Sequence, residues 1–283
     1  MIELGPTRYG KARIRLVKLV RLPDHHVVRD LTVAVALEGD FAAAHTDGDQ
    51  SLVVPTDTMK HTVYALAKDG LTGSIEAFGL TLGRHFRGFA QVERATISLE
   101  EHAWAPIATD GGPAPDAFFR QGDLTRTAVV SVDRGDASVE AGIEGLTVMK
   151  TAKSAFAGFP RDRYTTLKET QDRIMATKVT AAWRYADGGA GVDFDAAFDR
   201  VRGTLLTVFA EHFSPAVQTS IWIIGKAVLE AEPAIEEIRF ALPNLHHWTY
   251  DLSPFGLEND REIFVATEEP HGLIEATVRR SAG

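Results

Sequence analysis

The sequence predicts an α+β fold made of two tandem halves, each running strand, strand, helix, helix, strand, strand. Three observations predict it. Stretches of period-two alternation lie on both sides of two pairs of amphipathic helices. That order occurs over residues 1–134 and again over residues 135–283, without obvious sequence identity between the halves. Hairpin-connected strands, with the helices segregated between them, indicate antiparallel sheets with helices on one face.

Residues 11–20 alternate, with Ile14 and Leu16 on one face and Arg13 and Arg15 on the other, as in a half-buried strand. Leu31, Val33, Val35 and Leu37 share a face of the second strand because side chains alternate with period two. At Val54-Pro55-Thr56-Asp57 an apolar run meets a helix in which Met59, Val63 and Ala67 recur at helical spacing. Thr56 or Asp57 can cap its first turn, and the same orphan N–H groups can hold an anion. After Gly70 and Gly73 a second helix starts near Ser74, with Ile75, Phe78 and Leu82 on one face. Residues 92–104 return to alternation, with Ala95, Ile97 and Leu99 on one side, and Gly111-Gly112-Pro113 reads as a turn or loop.

The next strands are expected at residues 125–133 and 145–150, and residues 162–172 read as a short helix or a loop. Residues 175–185 alternate. Helices follow at 194–212 and 215–231. The second is read with Ser214 as N-cap, Pro215 in the first helical position, and Val217, Ile221, Ile224 and Val228 as its apolar stripe. Strands close the chain at 238–242, 248–252, 263–266 and 273–278. Such sheets leave open edges, so oligomerisation that pairs them is expected.

A chain of 283 residues is long enough for one large or two ordinary domains. A net charge of −9 argues against non-specific nucleic-acid binding, and an anionic substrate must be drawn by local positive groups. No apolar run approaches the length of a membrane helix, and the N-terminus lacks the pattern of a secretory signal. The absence of cysteine removes disulfides, thiolate metal sites and Cys nucleophiles together. There is no phosphate-binding glycine fingerprint between a strand and a helix, which counts against a flavin or nicotinamide.

Several side chains have two readings. Arg173 is either a fork for a planar ligand or the ion-pair partner of Asp172 or Glu169. Gln218 at a helix start offers an amide edge or is simply solvated. Phe156 is a stacking face or, like Phe159, core. Lys11 reads as a strand-end charge, and Asn244 and His246 as turn residues after Pro243. His246 beside His247 suggests a metal pair, but neighbours on a strand face opposite ways.

Four segments decide between these readings. Thr56-Asp57-Thr58, Tyr164-Thr165-Thr166-Leu167-Lys168-Glu169-Thr170, residues 214–220 and Leu242-Pro243-Asn244-Leu245-His246 resemble, in order, motifs of the urate oxidase (uricase) family. The resemblance runs from Tyr9-Gly10-Lys11 to Gly272-Leu273-Ile274. It implies the tunnelling fold, oligomerising into a barrel. It also implies oxidation of urate by dioxygen to 5-hydroxyisourate and hydrogen peroxide without metal or organic cofactor, in a homotetramer with active sites at subunit interfaces. By the same resemblance, Arg173 and Gln218 clamp the purine, Val217 lends its backbone N–H, and Phe156 stacks on the ring. Thr56 and Asp57 complete the substrate site, and Asn244 holds dioxygen or the attacking water. Lys11, Thr56 and His246 form a proton relay, in which a lysine beside a threonine hydroxyl draws off its proton. The family often carries a bulky aromatic where Ala157 stands, a departure that bears on the packing behind Phe156.

Two other classes share this outline. Pterin-handling enzymes of the same fold include zinc users, against which the missing thiols count. A non-catalytic purine-binding barrel would keep Arg173 and Gln218 without needing Lys11, Thr56 and His246 together. The C-terminal Ser281-Ala282-Gly283 differs from the peroxisomal Ser-Lys-Leu address, so a cytoplasmic protein is expected.

Overall fold

In a computed structural model the structure describes residues 2–281; Ala282 and Gly283, on which the reading of the C-terminal tripeptide rests, lie outside the described residues. The first run of elements is β1 (Tyr9–Arg21), β2 (His26–Gly39), α1 (Ala42–Thr46), α2 (Thr56–Gly70), α3 (Ile75–Arg87), β3 (Val92–Thr109) and β4 (Gly112–Val132). The second is β5 (Ala137–Lys150), β6 (Met175–Tyr185), α4 (Phe194–Glu211), α5 (Val217–Ala231), β7 (Ile235–Thr249) and β8 (Phe264–Arg279). The strands stand in sheet order as they do in sequence, and the β1–β2, β2–β3, β3–β4 and β7–β8 pairings are antiparallel. The expected α+β class is what forms, with each helix pair between two strand pairs.

Two compact units emerge, one holding the chain up to Ile143 with Arg184–Phe198, the other Glu144–Trp183 with the chain from Asp199 on. Arg126 of β4 explains why Arg184–Phe198 joins the first. Its guanidinium pairs with Glu76 at 2.7 Å and Asp195 at 2.6 Å and lies 4.5 Å from the Phe198 ring centre. Glu76 is fully buried. Burial pushes its carboxyl up, and the Arg126 charge works against that shift.

In the first unit, Leu31, Val33, Val35 and Leu37 of β2 form a buried face with Ala95, Ile97 and Leu99 of β3. Against it pack Met59, Val63 and Ala67 of α2, and Phe78, Leu82 and Phe86 of α3. Ser74 caps α3 by accepting a hydrogen bond from Ala77 N at 3.1 Å. Close approach of α3 to the sheet needs a glycine. A Cβ on Gly79 would stand 2.7 Å from Val130 Cγ2 and 3.0 Å from Leu99 Cδ1. Gly79→Ala gains up to about 1 kcal/mol of helix propensity and costs about 1–3 kcal/mol of overpacking, so chemical denaturation should show net destabilisation. A midpoint at or above wild type would mean that the sheet yields freely there.

In the second unit α5 packs its Val217, Ile221, Ile224 and Val228 stripe against β7 and β8. Several expected boundaries are corrected. The four closing strands are two long ones, because the Pro243-Asn244 segment taken for a turn stays in register with Leu273 and Gly272. A register shift between Asn244 and His246 absorbs the irregularity. The β4 strand starts at Gly112, well before residue 125, and α1 was not expected at all. Residues 162–172 are loop. Ser214 is not the N-cap of α5; Ala216 is, and no side chain caps it, because the Ser214 hydroxyl is bonded to Ser220 Oγ at 2.8 Å instead. Pro215 therefore lies outside the helix.

Candidate active site

Among the four long helices, the two that bear candidate residues lack the side-chain caps that the other two have. Ser74 caps α3, and Asp193 Oδ1 accepts from Ala196 N at the start of α4. By contrast α2, which begins at Thr56-Asp57, and α5, which begins at Val217-Gln218, have no side-chain cap. Neither Thr56 nor Asp57 caps its helix, since Pro55 holds the N-cap position and the Asp57 carboxylate turns to Lys60 at 2.5 Å. The hydrogen bond from Lys60, then the charges of Lys60, His61 and Lys11, hold that carboxyl below the usual carboxylate range. The first N–H groups of α2 and α5 are thereby left without side-chain acceptors, as an anion-binding helix start requires.

The first unit holds Lys11, Thr56 and Asp57. Gly10 precedes Lys11 for a steric reason, because a Cβ there would lie 1.8 Å from the Val35 carbonyl oxygen. Directly after Lys11 the β1–β2 register shifts, and Arg13 takes a left-handed φ of 57°. Tyr9 ties this strand to the approach of α2. Its hydroxyl accepts from Val54 N at 2.8 Å and donates to Val54 O at 3.2 Å, while its ring meets Phe41 edge-on.

The second unit holds Phe156, Arg173, Val217, Gln218, Asn244 and His246. Arg173 does not pair with Asp172 or Glu169. Asp172 accepts from Arg261 at 2.9 Å, and Glu169 accepts from Gly158 N at 3.2 Å. The Arg173 guanidinium carbon lies 5.4 Å from the Phe156 ring centre, and its Nε is buried without a hydrogen-bond partner. Burial lowers its pKa. Phe159, expected in the core, is half-buried and stacks on Phe156 with centroids 5.0 Å apart and planes 15° apart. That contact supplies packing for Phe156 beside the small Ala157.

Asn244 Nδ2 lies 3.5 Å from His246 Nδ1, and the His246 ring stacks on Trp248 at 5.0 Å. Burial first, then the charges of Arg173, His271 and His247, hold the His246 pKa below its ordinary value. His246 therefore stays neutral, able to accept a proton, to lower pH than a free histidine. Among the described residues no group of three or more His, Cys, Asp or Glu side chains could hold a metal ion. Val217 is buried at the start of α5 and Gln218 is exposed beside it.

Sequence reasoning missed Tyr9, Phe159, Trp248 and Arg261 as neighbours of these residues. Trp248 was findable, since position i+2 on a strand shares the face of His246. Arg261 stands 89 positions from Asp172 and gave no local signal. A depression of about 630 Å³ lined by Arg84, Asp133, Asp187 and Phe194 includes none of the candidate residues.

Within the second unit lie a half-buried guanidinium with an unanswered Nε, an aromatic face and an uncapped helix start; the first unit has an uncapped helix start of its own at Thr56-Asp57. Residues 7–131 and 139–275 match the Uricase family model. The chain belongs to the uricase family. It is 48% identical to the uricase of Arthrobacter globiformis over 99% of this chain and 90% of that protein. With the uricase of Dictyostelium discoideum it shares 38% identity over 99% of each chain. It also resembles the crystal structure of the Arthrobacter globiformis uricase, with a TM-score of 0.94 over 100% of this chain and 96% of that one. These uricases span nearly the same length as this chain, so the likeness takes in both units.

Proposed function

We propose that this protein oxidises urate with dioxygen to 5-hydroxyisourate and hydrogen peroxide, with no metal or organic cofactor. Membership of the uricase family supports the class, an oxidoreductase of the urate oxidase type. The observation that carries the site is the half-buried Arg173 guanidinium, its Nε buried and unpartnered, over the Phe156 ring. A planar anion with adjacent N–H and C=O groups answers both the fork and the aromatic face. Gln218 grips the opposite edge, with the Val217 N–H beside it.

The reaction balances without a redox group from the protein. Urate gives up two electrons, water adds its oxygen to the ring, and dioxygen takes the electrons with two protons to become peroxide. The chain supplies orientation, deprotonation and a dry place for dioxygen or water, the last at Asn244. Lys11, Thr56 and His246 carry the protons. Mixing the purified protein with urate in air should consume one urate for each peroxide formed, with the rate unchanged after exhaustive chelation. Loss of activity on chelation, restored by one metal, would refute the cofactor-free reading. Tight purine binding without turnover would make the protein a purine-binding barrel.

The halves, bounded near residue 134, contribute different parts. Lys11, Thr56 and Asp57 come from the first, and Phe156, Arg173, Gln218 and His246 from the second. We assign them to sites assembled across subunit boundaries in a cytoplasmic homotetramer, where sheet edges that would otherwise invite pairing are joined. Thr56→Ala and Arg173→Ala oligomers should each be nearly inactive. In a two-fold dimer pairing both variants, one site collects both lesions and the other neither, so random co-refolding should return roughly a quarter of wild-type activity. Mixed oligomers, verified by tagging, that stay as inactive as their parents would place the site within one chain.

A further inference from the structure

A buried hydroxyl chain lies behind the candidate clamp and has no part in the proposed chemistry. His212 Nδ1 is 2.6 Å from the Val208 carbonyl, so that nitrogen carries the hydrogen and Nε2 of the neutral ring is an acceptor. Ser220 Oγ, 2.8 Å from Nε2, must then donate to it. Ser214 Oγ, 2.8 Å from Ser220 Oγ, must in turn donate to Ser220. The hydrogens therefore run one way, from Ser214 through Ser220 to His212 and on to the helix backbone. Ser214 and Ser220 are fully buried, and burial lowers the His212 pKa, which keeps the ring in the neutral form this direction requires.

The backbone of Ser214 is equally committed. Ser214 N donates to Lys153 O at 2.9 Å and Ser214 O accepts from Ala155 N at 2.8 Å, which brackets Ser154 in a parallel bridge. Ser154 O accepts from Arg173 N at 2.8 Å, and the next residue but one, Phe156, exchanges two backbone bonds with Thr170. Three residues beyond Ser214 in the other direction, α5 opens with Val217 and Gln218. Phe156, Arg173 and the α5 start thus all take their positions from one serine, and that serine is pinned to the body of α5 by its hydroxyl.

We propose that Ser214 is the positioning residue of the purine clamp, held by Ser220 and His212, and that it sets affinity rather than the chemical step. This rests on the urate-oxidising reading. A serine that merely braced the fold would lower stability and the yield of active protein, but the molecules that fold would bind substrate normally. A serine that registers the stacking ring and the fork against the helix start should change affinity in every folded molecule.

The test is steady-state kinetics on urate, with direct binding of xanthine as a non-oxidised probe, on wild type and Ser214→Ala. The KM and the xanthine Kd should each rise about tenfold, the worth of roughly one ordered hydrogen bond, while kcat stays within about twofold. KM reports only on molecules that fold, so partial misfolding does not blur the outcome. His212→Leu, which removes the terminal acceptor, should act like Ser214→Ala. His212→Gln, whose side-chain oxygen reaches the region of Nε2, should recover most of the affinity. Unchanged KM and Kd in both Ser214→Ala and His212→Leu would overturn the proposal, as would a fall in kcat alone. A wild-type protein that fails to oxidise urate would instead overturn the underlying reading, before any variant is made.

Discussion

Lys11→Met should lower urate turnover by roughly 10²–10⁴ while leaving purine binding near the wild-type value, the usual signature of a lost acid–base group. Methionine keeps the length and apolar stem of lysine, so strand pairing with Val35 and the register shift beyond it need not change. Gly10 keeps the strands in close approach at this point whatever side chain follows. Tyr9, bonded twice to Val54, continues to hold the segment that leads into Thr56. What disappears is the amine that would take the Thr56 proton. Stopped-flow turnover beside equilibrium binding of xanthine separates the possibilities. Comparable damage to both would make Lys11 a structural residue or a direct ligand of the purine.

Arg173→Lys should weaken purine binding by about 2–4 kcal/mol, more than one contact, because an ammonium cannot reproduce a bidentate charge-assisted fork. That corresponds to about 30–1000-fold in Kd, within reach of isothermal titration. Among the described residues no carboxylate pairs with Arg173, so the exchange breaks no ion pair in the fold. The contact with Phe156 is also weakened, since a guanidinium lies over a ring as a plane and an ammonium does not. Wild-type affinity for urate and for xanthine in this variant would refute the assignment of Arg173 to the clamp.

Both predictions concern residues whose identity was visible in the sequence and whose surroundings were not. The alternation of Leu31, Val33, Val35 and Leu37 specified a buried strand face, and the spacing of Met59, Val63 and Ala67 specified the face of the helix above it. These signals are legible because side-chain direction repeats locally, every two residues in a strand and every 3.6 in a helix. The same local reading failed where local chemistry had competitors. Ser214 before Pro215 looks like a helix cap, but its hydroxyl is drawn to Ser220 and His212 in the interior. Thr56 and Asp57 look like caps, but the carboxylate is nearer to Lys60. Pro243-Asn244 looks like a turn, yet pairing with Leu273 and Gly272 carries the strand through it.

By itself, then, the sequence determined the order of the elements, the face each presents to the core and the motifs that mark the uricase family. Tertiary structure alone decided which partner each polar group takes. Arg261 comes from 89 positions away to occupy Asp172, Glu169 accepts from Gly158 N, and the Arg173 guanidinium lies over Phe156 with its Nε unanswered. The physical reason is that burial faces follow from backbone geometry within a few residues. A hydrogen-bond or ion-pair partner is chosen among all groups the fold brings within reach, and a buried polar group is satisfied by whichever arrives.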